Sequence, residues 1–132
     1  MKCPIALIGF LHKDEYLIKS STGYDVKSIP REHALCSHAI MSDSPFAVLD
    51  ASKDVRFRFN PLVRGTPNIR YYMSAPLYSS TGFIGGSICV FDNQPREKCE
   101  IQLLVRISYL VQKLLDMNPV TEVEKRVLYL PN

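Results

Sequence analysis

Residues 69–92 read IRYYMSAPLYSSTGFIGGSICVFD. The run from Ile69 to Tyr78 is rich in residues that suit a pleated, half-buried surface. Ser79-Ser80-Thr81-Gly82 has hairpin-loop chemistry, and Phe83 to Phe91 returns as a second apolar run, so an antiparallel pair is predicted. Pro76 lacks a ladder donor, which implies an edge or a bulge at that point. Gly85-Gly86 permits a twist or a close approach of backbones. Strand alternation puts Tyr72 and Ser74 on one face and Tyr71 and Met73 on the other.

Upstream, Pro4 to Leu11 and Tyr16 to Ser21 form a predicted hairpin around the polar turn His12-Lys13-Asp14-Glu15, with Gly23 ending it. Pro30 suits a first helical turn, and a short helix is expected from His33 to Met41, stopped by Ser42-Asp43-Ser44-Pro45. Phe46 to Leu49 reads as a short strand. Asp50 supplies cap chemistry for a turn or structured loop running to Asn60-Pro61, and Gly65-Thr66-Pro67 turns the chain into Ile69. Downstream, Ile101, Leu104, Ile107, Val111, Leu114 and Leu115 repeat at helical spacing within a predicted helix over 97–117. Leu103 and Leu110 widen its apolar arc to about half the cylinder, more than the ~100° stripe a surface helix needs. Thr121 to Glu124 is a candidate capping box. The element order gives an α+β fold around a central antiparallel sheet.

The chain has 132 residues, 46% of them hydrophobic and 22% charged, which fits one ordinary globular domain. Its net charge is +3, from 16 basic and 13 acidic residues, and the basic residues are scattered. Arg56, Arg58 and Arg64 lie near Phe57 and Phe59, an interleave that can stack bases, but the strongly basic face of a nucleic-acid binder is absent. No apolar run approaches the ~20 residues that span a bilayer, and Met1 to Leu11 has no cleavage site. Cys3, Cys36, Cys89 and Cys99 show neither CxxC spacing nor a histidine pair, so no metal site is expected. Scattered thiols without a secretory signal indicate a cytoplasmic, or nuclear, location.

Residues His33 to Arg96 carry six motifs in order. They are His33-Ala34-Leu35-Cys36-Ser37-His38-Ala39-Ile40, Val48-Leu49-Asp50-Ala51, Asp54-Val55-Arg56-Phe57 and Asn60-Pro61-Leu62-Val63. Ile69-Arg70-Tyr71-Tyr72-Met73-Ser74-Ala75-Pro76-Leu77 follows, then Gly82 with Ile84 to Asp92 and Pro95-Arg96. Together they resemble the GAF domain family of signalling proteins. That resemblance implies a central antiparallel sheet with a long C-terminal helix on one face and a loop-roofed pocket on the other. It divides the chain into a GAF domain over residues 1–118 and a C-terminal tail over 119–132. The helix that normally precedes the first strand has no counterpart before Pro4.

Members of this family bind cyclic nucleotides, bilins, haem or small metabolites, or have no known ligand, and fold analogy does not choose among these uses. The cyclic-nucleotide signature and the bilin-anchoring cysteine are both absent, so cofactor and ligand stay open. His38 is the candidate haem ligand, though a histidine on a half-buried helix commonly bonds backbone instead. The resemblance implies a regulatory module that senses a small molecule or docks a partner, with no catalytic residues and no enzymatic chemistry of its own. One family member is an enzyme alternative: the free methionine-(R)-sulfoxide reductases, which work by cysteine redox chemistry. Cys36 matches one of their cysteines, but their catalytic cysteine has no counterpart between Ser52 and Asn68. A second alternative is a structural dimerisation module without ligand.

The ligand-binding candidates are His38, Arg56, Tyr72 and Ser74. Asp50, Asp54 and Arg56 also have a structural reading, as caps and loop locks. The wide apolar arc of the 97–117 helix leaves leucines uncovered by one sheet. Burying each contributes roughly 1.5–3 kcal/mol, so a homodimer through this helix is expected.

Overall fold

The computed structural model describes residues 3–42, 44–78 and 84–117. The predicted loop at Ser79 to Gly82, the capping box at Thr121 to Glu124 and the tail 119–132 lie outside these residues. Six strands form one antiparallel sheet: β1 (Ile5–His12), β2 (Glu15–Thr22), β3 (Ser28–Pro30), β4 (Phe46–Val48), β5 (Tyr71–Tyr78) and β6 (Ile84–Asp92), in the order β3-β2-β1-β6-β5-β4. Three α-helices accompany them: α1 (Cys36–Ser42), α2 (Pro61–Arg64) and α3 (Ile101–Met117). This is the predicted α+β architecture.

Strand alternation sorts the core into two layers. On one face, α1 and the 51–64 segment cover Leu7, Tyr72, Cys89 and Phe91, together with Leu35, Cys36, Ile40, Phe57 and Val63. On the other, α3 covers Tyr71, Met73, Ala75, Ile88 and Val90 through Leu104. Tyr72 and Tyr71 therefore face opposite ways, as the alternation predicts.

Pro76 sits where its missing N–H costs least. β4 pairs with β5 only from Tyr72 to Ser74, so Pro76 has a single ladder partner, Ser87 on β6. A register shift follows at once, between Leu77 and Tyr78. The proline thus marks both a local edge and an irregularity. Beyond it, the Gln112 carboxamide on α3 takes over the exposed backbone: its Oε1 accepts from Tyr78 N–H and its Nε2 donates to Tyr78 C=O, both at 2.7 Å.

Gly86 answers to close approach: a Cβ there would run into the Phe10 ring and the Gly9 carbonyl of β1. Both helix starts differ from the sequence expectation. A 3-10 turn over Arg31–His33 precedes α1, which begins at Cys36 rather than His33. Arg31 N–H donates to Asp14 C=O at 2.7 Å, holding this segment against the β1–β2 turn, and Pro30 ends β3 instead of starting a helix. α3 begins at Ile101 rather than Glu97. Glu100 N–H donates to the Tyr71 hydroxyl at 3.3 Å while its carbonyl accepts the first helical bonds, so the helix is capped from the sheet. Among the described residues, no helix is long and apolar enough to cross a membrane.

Candidate functional site

The loop between β4 and α2 is shaped by side chains bonding to nearby backbone. Asp50 Oδ1 accepts from Ser52 N–H at 3.0 Å, and Asn60 Oδ1 accepts from Leu62 N–H at 2.8 Å to cap α2. Asn60 Nδ2 donates across to His33 C=O at 3.0 Å, tying this loop to the entry of α1. Asp54 grips Arg56 with both oxygens: Nε donates to Oδ1 at 3.0 Å and Nη2 to Oδ2 at 2.8 Å. That fork fixes the guanidinium 4.9 Å above the Phe57 ring centroid and 5.6 Å from that of Phe46.

His38 on α1 meets the same ring edge-on, its centroid 4.7 Å from that of Phe57. Burial, then the Arg56 charge, hold His38 below the ordinary histidine value, so the ring is neutral at neutral pH. Hydrogen bonds from Arg56 hold Asp54 below the ordinary carboxyl value against the opposing effect of burial. Between these parts lies an open cleft of about 690 Å³, to which Arg31, Ser37, His38, Arg56, Phe57 and Asn60 contribute. Its lining includes a stacked cation, a neutral imidazole and amide and hydroxyl groups, the mixture that orients a small polar ligand.

Two of the four sequence-predicted site residues, His38 and Arg56, therefore share this cleft. Tyr72 and Ser74 do not reach it. They are 2% and 0% exposed, and Tyr72 is itself part of an aromatic row in which Phe57, Phe46, Tyr72 and Phe91 pack at centroid separations of 5.9, 5.5 and 6.2 Å. That row fills the space over the sheet. Arg31, Ser37 and Asn60 were not singled out by sequence reasoning, because their place in the cleft depends on contacts between segments 23 to 29 residues apart. The capping signature of Asn60-Pro61 was the one usable signal.

Tyr72 and Ser74 belong instead to a buried polar cluster under α1. The Tyr16 hydroxyl lies 2.9 Å from Ser87 Oγ and 3.2 Å from the Ser87 carbonyl. Cys36 and Cys89, both buried, belong to the same core as Tyr72. Burial opposes a charge on Cys36, yet the polar groups around it outweigh that effect and lower the Cys36 thiol below its ordinary value. Cys89 moves the opposite way, raised by Cys36 and by burial. Tyr72 OH and Ser74 Oγ are buried with no protein partner at bonding geometry. Such orphaned groups cost about 1–3 kcal/mol each. Among the described residues, no three His, Cys, Asp or Glu side chains are grouped to hold a metal ion.

No family model matches the chain. Over 93 residues, 70% of its length, it is 44% identical to a cyclic di-GMP phosphodiesterase of Pseudomonas aeruginosa, and it spans 16% of the length of that curated relative. Its fold is similar to the type II free methionine-R-sulfoxide reductase of Thermoplasma acidophilum, with a TM-score of 0.70 at 14% identity over 97% of this chain and 83% of that one. The free methionine-R-sulfoxide reductase of Neisseria meningitidis superposes with a TM-score of 0.69 at 15% identity, covering 86% and 68% of the two chains. The GAF domain of an Acinetobacter phosphoenolpyruvate-protein phosphotransferase gives 0.65 at 19% identity, covering 89% and 73%. These findings correct the expectation of a module with no enzymatic chemistry of its own: the sequence relative is named for an enzyme activity, as are two of the fold neighbours. The motif order had pointed to the fold, and the fold carries enzymes as well as sensors. By its sheet order, its helices on both faces and these neighbours, the chain has a GAF-like fold.

Proposed function

We propose that this chain is the small-molecule-sensing GAF module of a cyclic di-GMP phosphodiesterase, with the cleft at His38 and Arg56 as its ligand site. The observation that carries this reading is the 44% identity over 93 residues, far above the 10–19% of the fold neighbours. The matched region is a small share of the relative, which fits a controlling part of a larger enzyme. The cleft supports the sensing role. Its cation is held by Asp54 and its imidazole is neutral, so a ligand would meet preset donors without rearranging them.

The test is a chimera of the Pseudomonas phosphodiesterase in which this chain replaces the matching segment. Cyclic di-GMP hydrolysis is expected to persist and to change several-fold in Arg56→Ala or His38→Ala. Hydrolysis that is the same with the segment present, mutated or deleted would refute the role.

We also infer that the module pairs with a second copy through α3. Leu103 and Leu110 on its outer side are 42% and 62% exposed. Leu114, 58% exposed, continues the same side four residues beyond Leu110. The sheet side of the same helix is already occupied by Leu104.

A further inference from the structure

The 51–64 segment that covers one face of the sheet also presents an outer side, apart from the cleft. Asp54 roots a single turn there: its Oδ1 accepts from Arg56 N–H and its carbonyl from Arg58 N–H, both at 2.8 Å. Side chains three and four apart on such a turn share a side, so Phe57 is buried while Val55, Arg58 and Phe59 stand in solvent. Val55 is 79% exposed and Phe59 67%, and neither lines the cleft. Two guanidiniums lie over the Phe59 ring, that of Arg58 4.9 Å from its centroid and that of Arg64 5.5 Å. Arg64 is positioned by α2, which Asn60 caps and the buried Val63 anchors.

Charge gathers at the same place. Residues 51–70 hold five cations against the single carboxylate of Asp54, a surplus of four, where the whole chain's net charge is +3. Asp54 is already taken by Arg56. Among the described residues, Arg58 and Arg64 have no carboxylate partner within ion-pair distance. The result is an apolar tip set in a positive field. Base stacking needs an open ring face, and the Phe59 ring is already faced by guanidiniums. A bilayer asks for no groove: apolar side chains that stand out enter the headgroup boundary, and cations beside them meet lipid phosphates.

We propose that this tip is a peripheral docking site for an anionic lipid surface, with Val55 and Phe59 entering the headgroup layer and Arg58 and Arg64 pairing with lipid phosphates. An arginine suits that boundary, because its stem lies along apolar surface while its charged end stays at the polar level. The attachment is to the surface and does not span the bilayer. Two apolar side chains beside a basic patch give weak, reversible binding.

The test is co-sedimentation of the full chain with vesicles of phosphatidylcholine alone and of phosphatidylcholine mixed with phosphatidylglycerol. Binding to the mixed vesicles is expected to be at least about tenfold tighter and to weaken with added salt. Arg58→Glu combined with Arg64→Glu should reduce it by about tenfold or more. Val55→Ser with Phe59→Ser leaves the charge unchanged and should still reduce it several-fold, the exposed positions leaving the melting temperature near that of the wild type. Lys27→Glu with Lys98→Glu, exposed cations outside this stretch, makes the same charge change and should bind nearly as the wild type. Equal binding to the two kinds of vesicle, an equal loss in the Lys27 and Lys98 control, or no loss in the serine pair would overturn the proposal. So would tighter binding to a thymidine oligonucleotide than to the mixed vesicles, which would assign the tip to nucleic acid.

Discussion

The Tyr16 side chain of β2 crosses over β1 and bonds Ser87 on β6, 2.9 Å from hydroxyl to hydroxyl. The crossing is open because Gly9, the β1 residue paired with Ser87, has no side chain to block it. A Cβ on Gly9 would come within 2.5 Å of the Tyr16 ring and 2.6 Å of the Leu17 carbonyl.

Gly9→Ala should therefore destabilise the protein by about 1–3 kcal/mol, the usual cost of forcing volume into a packed core. Tyr16→Phe should cost about 1–2 kcal/mol by leaving Ser87 without its partner. Urea unfolding of both variants checks this. The double variant is expected to lose less than the sum, because the clash and the hydrogen bond share one ring.

Gln112 closes the open edge of β5 with two hydrogen bonds to Tyr78. Gln112→Leu keeps the volume and removes both. A loss of about 1–3 kcal/mol is expected from the stranded backbone groups, with faster amide exchange at Tyr78 and unchanged exchange in β1. Equal exchange at Tyr78 in variant and wild type would mean that the carboxamide does not guard the edge.

His38 makes stability depend on pH. Burial and the Arg56 charge lower its folded value, so the unfolded chain binds the proton more tightly. The contribution is complete above the unfolded value of about 6.5 and is lost as the pH falls below it. Asp54, also lowered, acts in the same direction at more acid pH. Melting temperatures should fall between pH 7 and pH 5, and His38→Gln should flatten that slope. Arg56→Ala should move the His38 titration upward in an NMR series; an unmoved titration would show that the guanidinium does not act on the ring.

Leu103→Glu combined with Leu110→Glu should give a folded monomer, since both residues stand on the outer side of α3 and neither belongs to the core. Sedimentation at high micromolar concentration distinguishes this monomer from a wild-type dimer. A wild-type chain that sediments as a monomer would refute the pairing.

Local chemistry made the strands, the cap at Asp50 and the apolar periodicity of α3 legible in the sequence. Strand alternation and helical periodicity are properties of neighbours along the chain, so Tyr72 and Tyr71 could be assigned to opposite faces before any packing was known. The motif order pointed to the GAF-like fold for the same reason: each motif is a short local solution repeated in sequence. The site was not of that kind. His38 and Arg56 meet because Asn60 bonds back to His33 and Asp54 aims the guanidinium at Phe57. Tyr72 and Ser74 were expected beside them, but Phe46 and Phe57 pack over that face and close it. Cys36 and Cys89 are 53 residues apart and share no spacing signal. Only the docking of α1 on β6 buries both in one core, because burial depends on atoms that the chain brings together last.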